Sequence, residues 1–232
     1  MARLKRLVLP GLVHHVTQRA VAGFEPFAVK ADCELFLQAL RRVSAEHRVA
    51  IHAYVLLDRH FQLLATPVKA DDLSRMMQAL SRLYVPAFNR RHGRTGALWE
   101  GRFRTAPVGG AEHLLQCMRY IEQAPRRDGW AGAATEFVWS SAGEHAGTRT
   151  SDAFFVVPPE SGYWRLGNTP FEREAAYAEL LESPLPSSVI AEVERTTKKG
   201  WAWGPGEFIA SFAANAARRP VARARGRPRK PL

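Results

Sequence analysis

The chain has 232 residues and a formal net charge of +11, and 46% of its residues are hydrophobic. This apolar fraction is typical of a globular protein that buries one core, or one core with an appendage. The positive charge favours a polyanionic partner, with nucleic acid ahead of an anionic membrane surface. The sequence contains no run of about 18 apolar residues, so we expect no membrane-spanning helix and no membrane partner.

The amino-terminal part alternates between strand and helix patterns. Apolar residues recur every second position in the predicted strands and at helical spacing in the predicted helices. Asp32 is predicted to cap the first helix, and Pro86 predicts a kink or a break in the second. The predicted elements are a strand over 12–19, a helix over 32–48, strands over 51–57 and 60–67, a helix from 71, a strand over 103–108 and a helix over 111–123.

Two strands meet at the turn Asp58–Arg59, and two polar residues follow it. His60 and Gln62 are two positions apart, so they project from one face of the strand while Phe61 projects from the other. An imidazole and an amide oxygen on one face can hold a divalent metal ion. A core histidine beside an edge glutamine is the alternative, and this stretch alone favours that alternative.

A basic segment over 89–104 carries five arginines and one glutamate, interleaved with Trp99 and Phe103. Arginine neutralises phosphate and aromatic rings stack on bases, so the segment favours nucleic-acid binding over a solvated loop. In the following helix, Tyr120 lies beside the apolar stripe, on the flank with Gln123. A tyrosine there can offer its hydroxyl to a ligand, although a helical tyrosine is more often structural.

The order of elements predicts an α+β fold. Strand, helix, strand, strand, helix, strand is the ferredoxin-like pattern, an antiparallel sheet with helices on one face and the other face free to bind. We divide the chain into a domain over 1–145, a mainly helical extension over 146–217 and a basic tail over 218–232. The tail is expected to be disordered when free, and its segment 225–230 resembles an AT-hook. Arg225, Arg227 and Arg229 there could enter the minor groove of duplex DNA.

A set of motifs carries a resemblance to a known family. In chain order they are HHVTQR (14–19), AYVL (53–56), HFQLL (60–64), FNRRHG (88–93), LWEGRF (98–103) and RYIEQ (119–123). Together they resemble the REP-associated tyrosine transposases of the single-tyrosine HUH superfamily, over about residues 3–141. The stretches LGNTP (166–170) and GRPRK (226–230) are similar to carboxy-terminal regions of such proteins.

This resemblance implies an activity, a cofactor and a partner. Tyr120 would be the nucleophile that cuts single-stranded DNA at hairpin-containing, REP- or BIME-like sequences, leaving a 5′-phosphotyrosine and a free 3′-hydroxyl that can be rejoined. His60 and Gln62 would hold Mg²⁺ or Mn²⁺. The protein would be bacterial, cytoplasmic and nucleoid-associated, as a monomer or homodimer. The expected DNA contacts are His15, Arg19, Arg59, Arg91, Arg102 and Arg104.

Three positions depart from the family pattern. Gln62 stands where the second histidine is usual, and an amide oxygen suits a hard cation such as Mg²⁺. Ala124 stands where relatives carry a third ligand. Gln123 and Glu122 are the neighbouring candidates to replace it, and only Gln123 lies near the right flank of the helix. Asp58–Arg59 replaces the usual Pro-Asn turn, and Arg59 there would either repel a cation or grip a phosphate.

Three functions therefore remain open from the sequence. The first is an active DNA-cleaving and joining enzyme. The second is a DNA-binding protein of the same descent with lost or reduced cleavage. The third is an RNA-binding protein that uses the open face of the sheet as a stacking platform.

Overall fold

A four-stranded antiparallel sheet organises the computed structural model, which describes residues 6–150, 154–214, 216 and 218–222. The strand order is β2–β3–β1–β4, with both neighbours of β1 antiparallel to it. This order confirms the predicted α+β fold. Residues 223–232 of the basic tail, with Arg225, Arg227 and Arg229, lie outside the described residues, so the AT-hook interpretation stays a prediction. The strands are β1 Val13–Arg19, β2 Val49–Leu57, β3 His60–Pro67 and β4 Arg104–Val108.

The helices largely follow the predicted periodicity, with two differences at polar and proline positions. The first helix begins at Lys30, so Asp32 does not cap it but lies buried in its first turn. The second helix continues through Pro86, which is solvent-exposed, so no break occurs there. The helices are α1 Lys30–Glu46, α2 Asp72–Arg91, α3 Ala111–Glu122, α4 Ala124–Arg127, α5 Ala142–His145, α6 Pro170–Glu182, α7 Ser187–Lys199 and α8 Gly206–Ala213.

Helices cover both faces of the sheet, which corrects the expectation of helices on one face. Side chains such as Val16 and Phe61 pack against α1 and α2 on what we call the first face. Side chains such as Val13 and Leu64 pack against α3, α6 and α7 on the second face. The reason is strand alternation: both sets of alternating side chains are largely apolar, and both must be buried. The face expected to be free therefore lies beneath α3 and the extension.

A buried carboxylate joins the extension to the sheet. Glu122 at the end of α3 is fully buried and accepts hydrogen bonds from the Ser141 hydroxyl, from His145 Nδ1 at 2.6 Å and from the Tyr177 hydroxyl at 2.6 Å. These partners come from α5, α6 and the turn before α5. The carboxylate is stabilised by three donors, and removing one would leave buried polar atoms without partners.

Both cysteines of the chain, Cys33 and Cys117, are free and buried. No helix in the described part of the chain is both long and apolar enough to cross a membrane.

Candidate active site

Strand pairing brings three polar side chains together on the second face. In the β1–β3 register, Arg19 lies opposite His60 and Thr17 lies opposite Gln62. His15 is two residues before Thr17 on β1, and therefore on the same face as Thr17. His15, His60 and Gln62 line one cavity of about 410 Å³, which Tyr120 also lines.

A chain of hydrogen bonds links these residues to α7. The Thr197 hydroxyl lies 2.7 Å from His15 Nδ1, and His15 Nε2 lies 2.9 Å from Gln62 Oε1. Gln62 Nε2 is in turn 3.4 Å from His60 Nε2. Burial lowers the pKa of His15 to about 4, so its imidazole is neutral at pH 7. Burial, with a smaller effect of Arg19, also lowers the pKa of His60, which keeps a ring lone pair available.

Helix α3 carries Tyr120 to the same cavity. Its side chain is 6% exposed, and its ring meets His15 edge-on with centroids 5.6 Å apart. The guanidinium carbon of Arg127 lies 4.5 Å from the centroid of the tyrosine ring. Burial raises the pKa of the Tyr120 hydroxyl, whereas the charge of Arg127 lowers it, so the phenol is protonated at neutral pH. Arg127 was not predicted, because it lies in α4, beyond the end of α3 at Glu122, where helical spacing from Tyr120 gives no signal.

Basic side chains form the rim of the cavity. Arg19, Arg102, Arg104 and Lys198 line it together with Glu100 and Glu194. A second depression of about 250 Å³ shares Arg102, Arg104 and Lys198 with the cavity. This depression adds Arg6, Lys199 and Arg218, and no carboxylate is among the described residues that line it. The two depressions form a basic track that suits a phosphate backbone.

Gln123 is not placed to bind a metal ion at this site, which corrects that prediction. Its side-chain nitrogen donates to the carbonyls of Leu180, Leu181 and Ser183 at 3.2, 2.9 and 2.7 Å. The amide therefore donates to carbonyl groups at the end of α6. The last carbonyl groups of any helix have no partner within the helix and need such a donor. Ala124 is fully buried among the apolar residues of the second face and does not line the cavity either.

Two arginines and two aromatic residues lie elsewhere than predicted. Arg91 forms an ion pair with buried Asp32 at 3.1 Å, on the side of α1 and α2, and so is away from the cavity. Arg59 lies in the turn between β2 and β3 and does not line the cavity.

Trp99 and Phe103 are buried in the first-face core rather than free to stack on bases. Their spacing among arginines reflects packing, because a short segment can point aromatic side chains inward and arginines outward.

His60 and Gln62 can offer a divalent cation one ring nitrogen and, after rotation of the Gln62 amide, one oxygen. The amide nitrogen of Gln62 lies 3.4 Å from His60 Nε2, while its oxygen pairs with His15 Nε2, so the amide must rotate before Gln62 could bind Mn²⁺ or Mg²⁺ through oxygen. Among the residues that the structure describes, no group of three or more His, Cys, Asp and Glu side chains could hold a metal ion. A cation here would therefore take two protein ligands and fill its remaining positions with water or phosphate oxygens.

Comparisons with known proteins bear on the fold. No family model matches the chain, and no curated protein matches it. Among solved structures, it is similar to a REP-associated tyrosine transposase bound to a REP hairpin. The sequence identity is 17%, the TM-score is 0.54, and the match covers 69% of this chain and 94% of that chain. The chain therefore has the fold of that transposase.

Proposed function

We propose that this protein cuts and rejoins single-stranded DNA at hairpin-containing, REP-like sequences, through a 5′-phosphotyrosine at Tyr120 and with a divalent cation. The observation that carries the proposal is the shared cavity of Tyr120, His60 and Gln62 beneath a rim of arginines. The solved transposase of the same fold is bound to a REP hairpin, which supports hairpin DNA as the substrate class. A cytoplasmic, nucleoid-associated monomer or homodimer, with duplex contacts from the tail, belongs to the same proposal.

The chemistry follows from the residues at the cavity. The Tyr120 oxygen attacks the scissile phosphorus, the bond from phosphorus to the 3′ oxygen breaks, and the 3′ oxygen takes up a proton. The phenol proton passes to solvent, and Arg127 stabilises the negative charge that develops on the tyrosine oxygen. Attack by the 3′-hydroxyl on the phosphotyrosine reverses the step and joins the strand. A cation held by His60 and Gln62 would polarise the scissile phosphate.

The experiment is a denaturing gel that detects a covalent protein–DNA adduct on a labelled hairpin with a single-stranded flank. We expect slow adduct formation that requires high metal concentration, with Mn²⁺ more effective than Mg²⁺ because Mn²⁺ accepts nitrogen ligands more readily. Tyr120→Phe should abolish the adduct because it deletes the attacking oxygen. Tyr163→Phe, a change at a buried tyrosine outside the cavity, is the matched control. An adduct that survives Tyr120→Phe would refute the nucleophile.

A second candidate is a DNA-binding protein with lost or reduced cleavage. The placement of Gln123 and Ala124 favours it, since neither supplies a third ligand. Hairpin binding without an adduct in wild type at any Mn²⁺ concentration would establish this candidate. The RNA-binding alternative loses its main support, because the sheet faces that would stack bases are covered by helices.

A further inference from the structure

Three buried side chains from three separate elements form a single hydrogen-bonded chain. Thr197 on α7 is 4% exposed, His15 on β1 is 2% exposed and Gln62 on β3 is 4% exposed. Thr197 contacts His15 at 2.7 Å, His15 contacts Gln62 at 2.9 Å, and the far end of the Gln62 amide faces His60 at 3.4 Å. Since water does not reach these atoms freely, each must find its donor or acceptor within the chain.

The direction of this chain decides which atom of Gln62 faces His60. A neutral imidazole has one donor and one acceptor nitrogen, an amide has an oxygen acceptor and a nitrogen donor, and a hydroxyl can do both. With Gln62 Oε1 facing His15 and the amide nitrogen facing His60, the His15 proton is assigned to Nε2, which donates to Gln62 Oε1, and Thr197 donates to His15 Nδ1. In the reverse direction, the Gln62 amide is rotated by half a turn, so that its nitrogen donates to His15 Nε2 and its oxygen faces His60. His15 then carries its proton on Nδ1 and donates it to the Thr197 hydroxyl.

Only the reverse direction makes Gln62 a metal ligand, because an amide nitrogen has no lone pair to offer. We propose that Thr197 and His15 are positioning residues that allow Gln62 to turn its oxygen toward a cation at His60. The inference rests on the proposed function in taking Gln62 as a ligand. Thr197 is required because its hydroxyl can either donate to His15 Nδ1 or accept from it, and so supports both directions of the hydrogen-bonded chain. A residue of the carboxy-terminal extension thereby controls a ligand on the central sheet.

The first test is a titration of the protein with Mn²⁺ in the absence of DNA, with free Mn²⁺ measured by electron paramagnetic resonance. Thr197→Val has nearly the same shape but no hydroxyl. It should lower Mn²⁺ affinity by about tenfold, the lower end of the range for losing a direct partner of a metal ligand, because Thr197 acts on Gln62 through His15. Thr197→Ser keeps the hydroxyl and should restore the affinity. Thermal unfolding of each variant shows that it is folded at the temperature of the titration.

The second test separates positioning from packing. Gln62→Glu replaces the amide by a carboxylate, which has two oxygens and needs no rotation to present one to a cation. In the Gln62→Glu background, Thr197→Val should leave Mn²⁺ affinity nearly unchanged. An equal loss of affinity in both backgrounds would show that Thr197 acts only through packing, and would overturn the inference.

The outcomes also distinguish this inference from the proposed function. If the Gln62→Glu variant bound Mn²⁺ and wild type did not, the amide would not turn, and the inference would be wrong. If the Mn²⁺ results were as expected but no Tyr120 adduct formed on hairpin DNA, the inference would stand and the proposed cleavage would fail.

Discussion

The two faces of the sheet are built for different tasks. On the first face, an aromatic cluster of Phe27, Phe36, Phe61, Tyr84 and Trp99 closes the space beneath α1 and α2, with neighbouring ring centroids 4.8 to 6.3 Å apart. The second face is apolar beneath α3 and α6, but opens into a polar cavity beside α7. A tightly packed face can hold the strands rigid while the opposite face carries polar groups that contribute little to stability.

Strand β3 shows the difference most directly. Phe61 is 1% exposed within the aromatic cluster, whereas its neighbours His60 and Gln62 face the cavity. One strand therefore supplies an anchor to the core and two polar groups to the site. The comparison teaches that stability and chemistry can be changed separately here, by choosing substitutions on one face or the other.

The largest effect on stability is expected on the first face. Phe36→Ala should lower the free energy of unfolding by about 3–5 kcal/mol, because it removes a fully buried ring from the aromatic cluster. Urea denaturation measures this change. Gln38→Ala on the exposed side of the same helix is the control and should stay within about 0.5 kcal/mol. Equal effects of the two variants would contradict the role assigned to this cluster.

The buried carboxylate of the second face should give the next largest effect. Glu122→Ala should cost about 3 kcal/mol, because it strips a hydrogen-bond acceptor from His145, Ser141 and Tyr177. Tyr177→Phe removes a single hydrogen bond of the same network and should cost about 1 kcal/mol. Urea denaturation of both variants gives the comparison. If Glu122→Ala unfolded no more easily than Tyr177→Phe, the network would not anchor the extension.

Neighbouring histidines on opposite faces predict a pH dependence. Burial lowers the pKa of His14 from its ordinary value of 6.5 to about 4. Below pH 6.5 the unfolded chain binds a proton at His14 that the folded chain does not. The contribution of neutral His14 to the free energy of unfolding is therefore complete above pH 6.5 and is lost as the pH falls toward 4. The loss should approach about 1.4 kcal/mol per pH unit for this one group.

His14→Gln should remove that contribution and leave the similar contribution of His15 in place. The free energy of unfolding of wild type and variant, measured between these pH values, tests the prediction. Parallel pH profiles for the two proteins would mean that His14 does not titrate as its burial requires.

The smallest effect on stability is expected at the rim of the cavity. Arg104→Ala changes an exposed side chain, so unfolding should shift by no more than about 0.5 kcal/mol. Binding to hairpin DNA should nonetheless weaken, and the slope of log affinity against log salt should decrease by about 0.7 for the lost phosphate contact. Arg42→Ala on α1 removes an equal charge from the opposite side of the molecule and is the matched control. Equal losses of affinity in both variants would argue against a track at this rim.

The sequence determined the strands, the principal helices and the pairing of His60 with Gln62 on one face. These features depend on local periodicity, which a single chain displays directly: residues two apart in a strand share a face whatever surrounds them. The α+β order of elements likewise restricted the sheet to very few arrangements.

Only the tertiary structure decided which polar residues meet. Gln123 follows Tyr120 by three residues in the sequence, yet its amide donates to carbonyl oxygens at the end of α6. Arg91 pairs with buried Asp32 instead of facing the cavity. Thr197 carried no signal in the sequence and nevertheless holds His15. Such contacts join elements far apart in the chain, so local patterns cannot rank them. They are decided by how α3, α6 and α7 pack on a sheet whose second face is largely apolar, and by the requirement that every buried polar group find a partner.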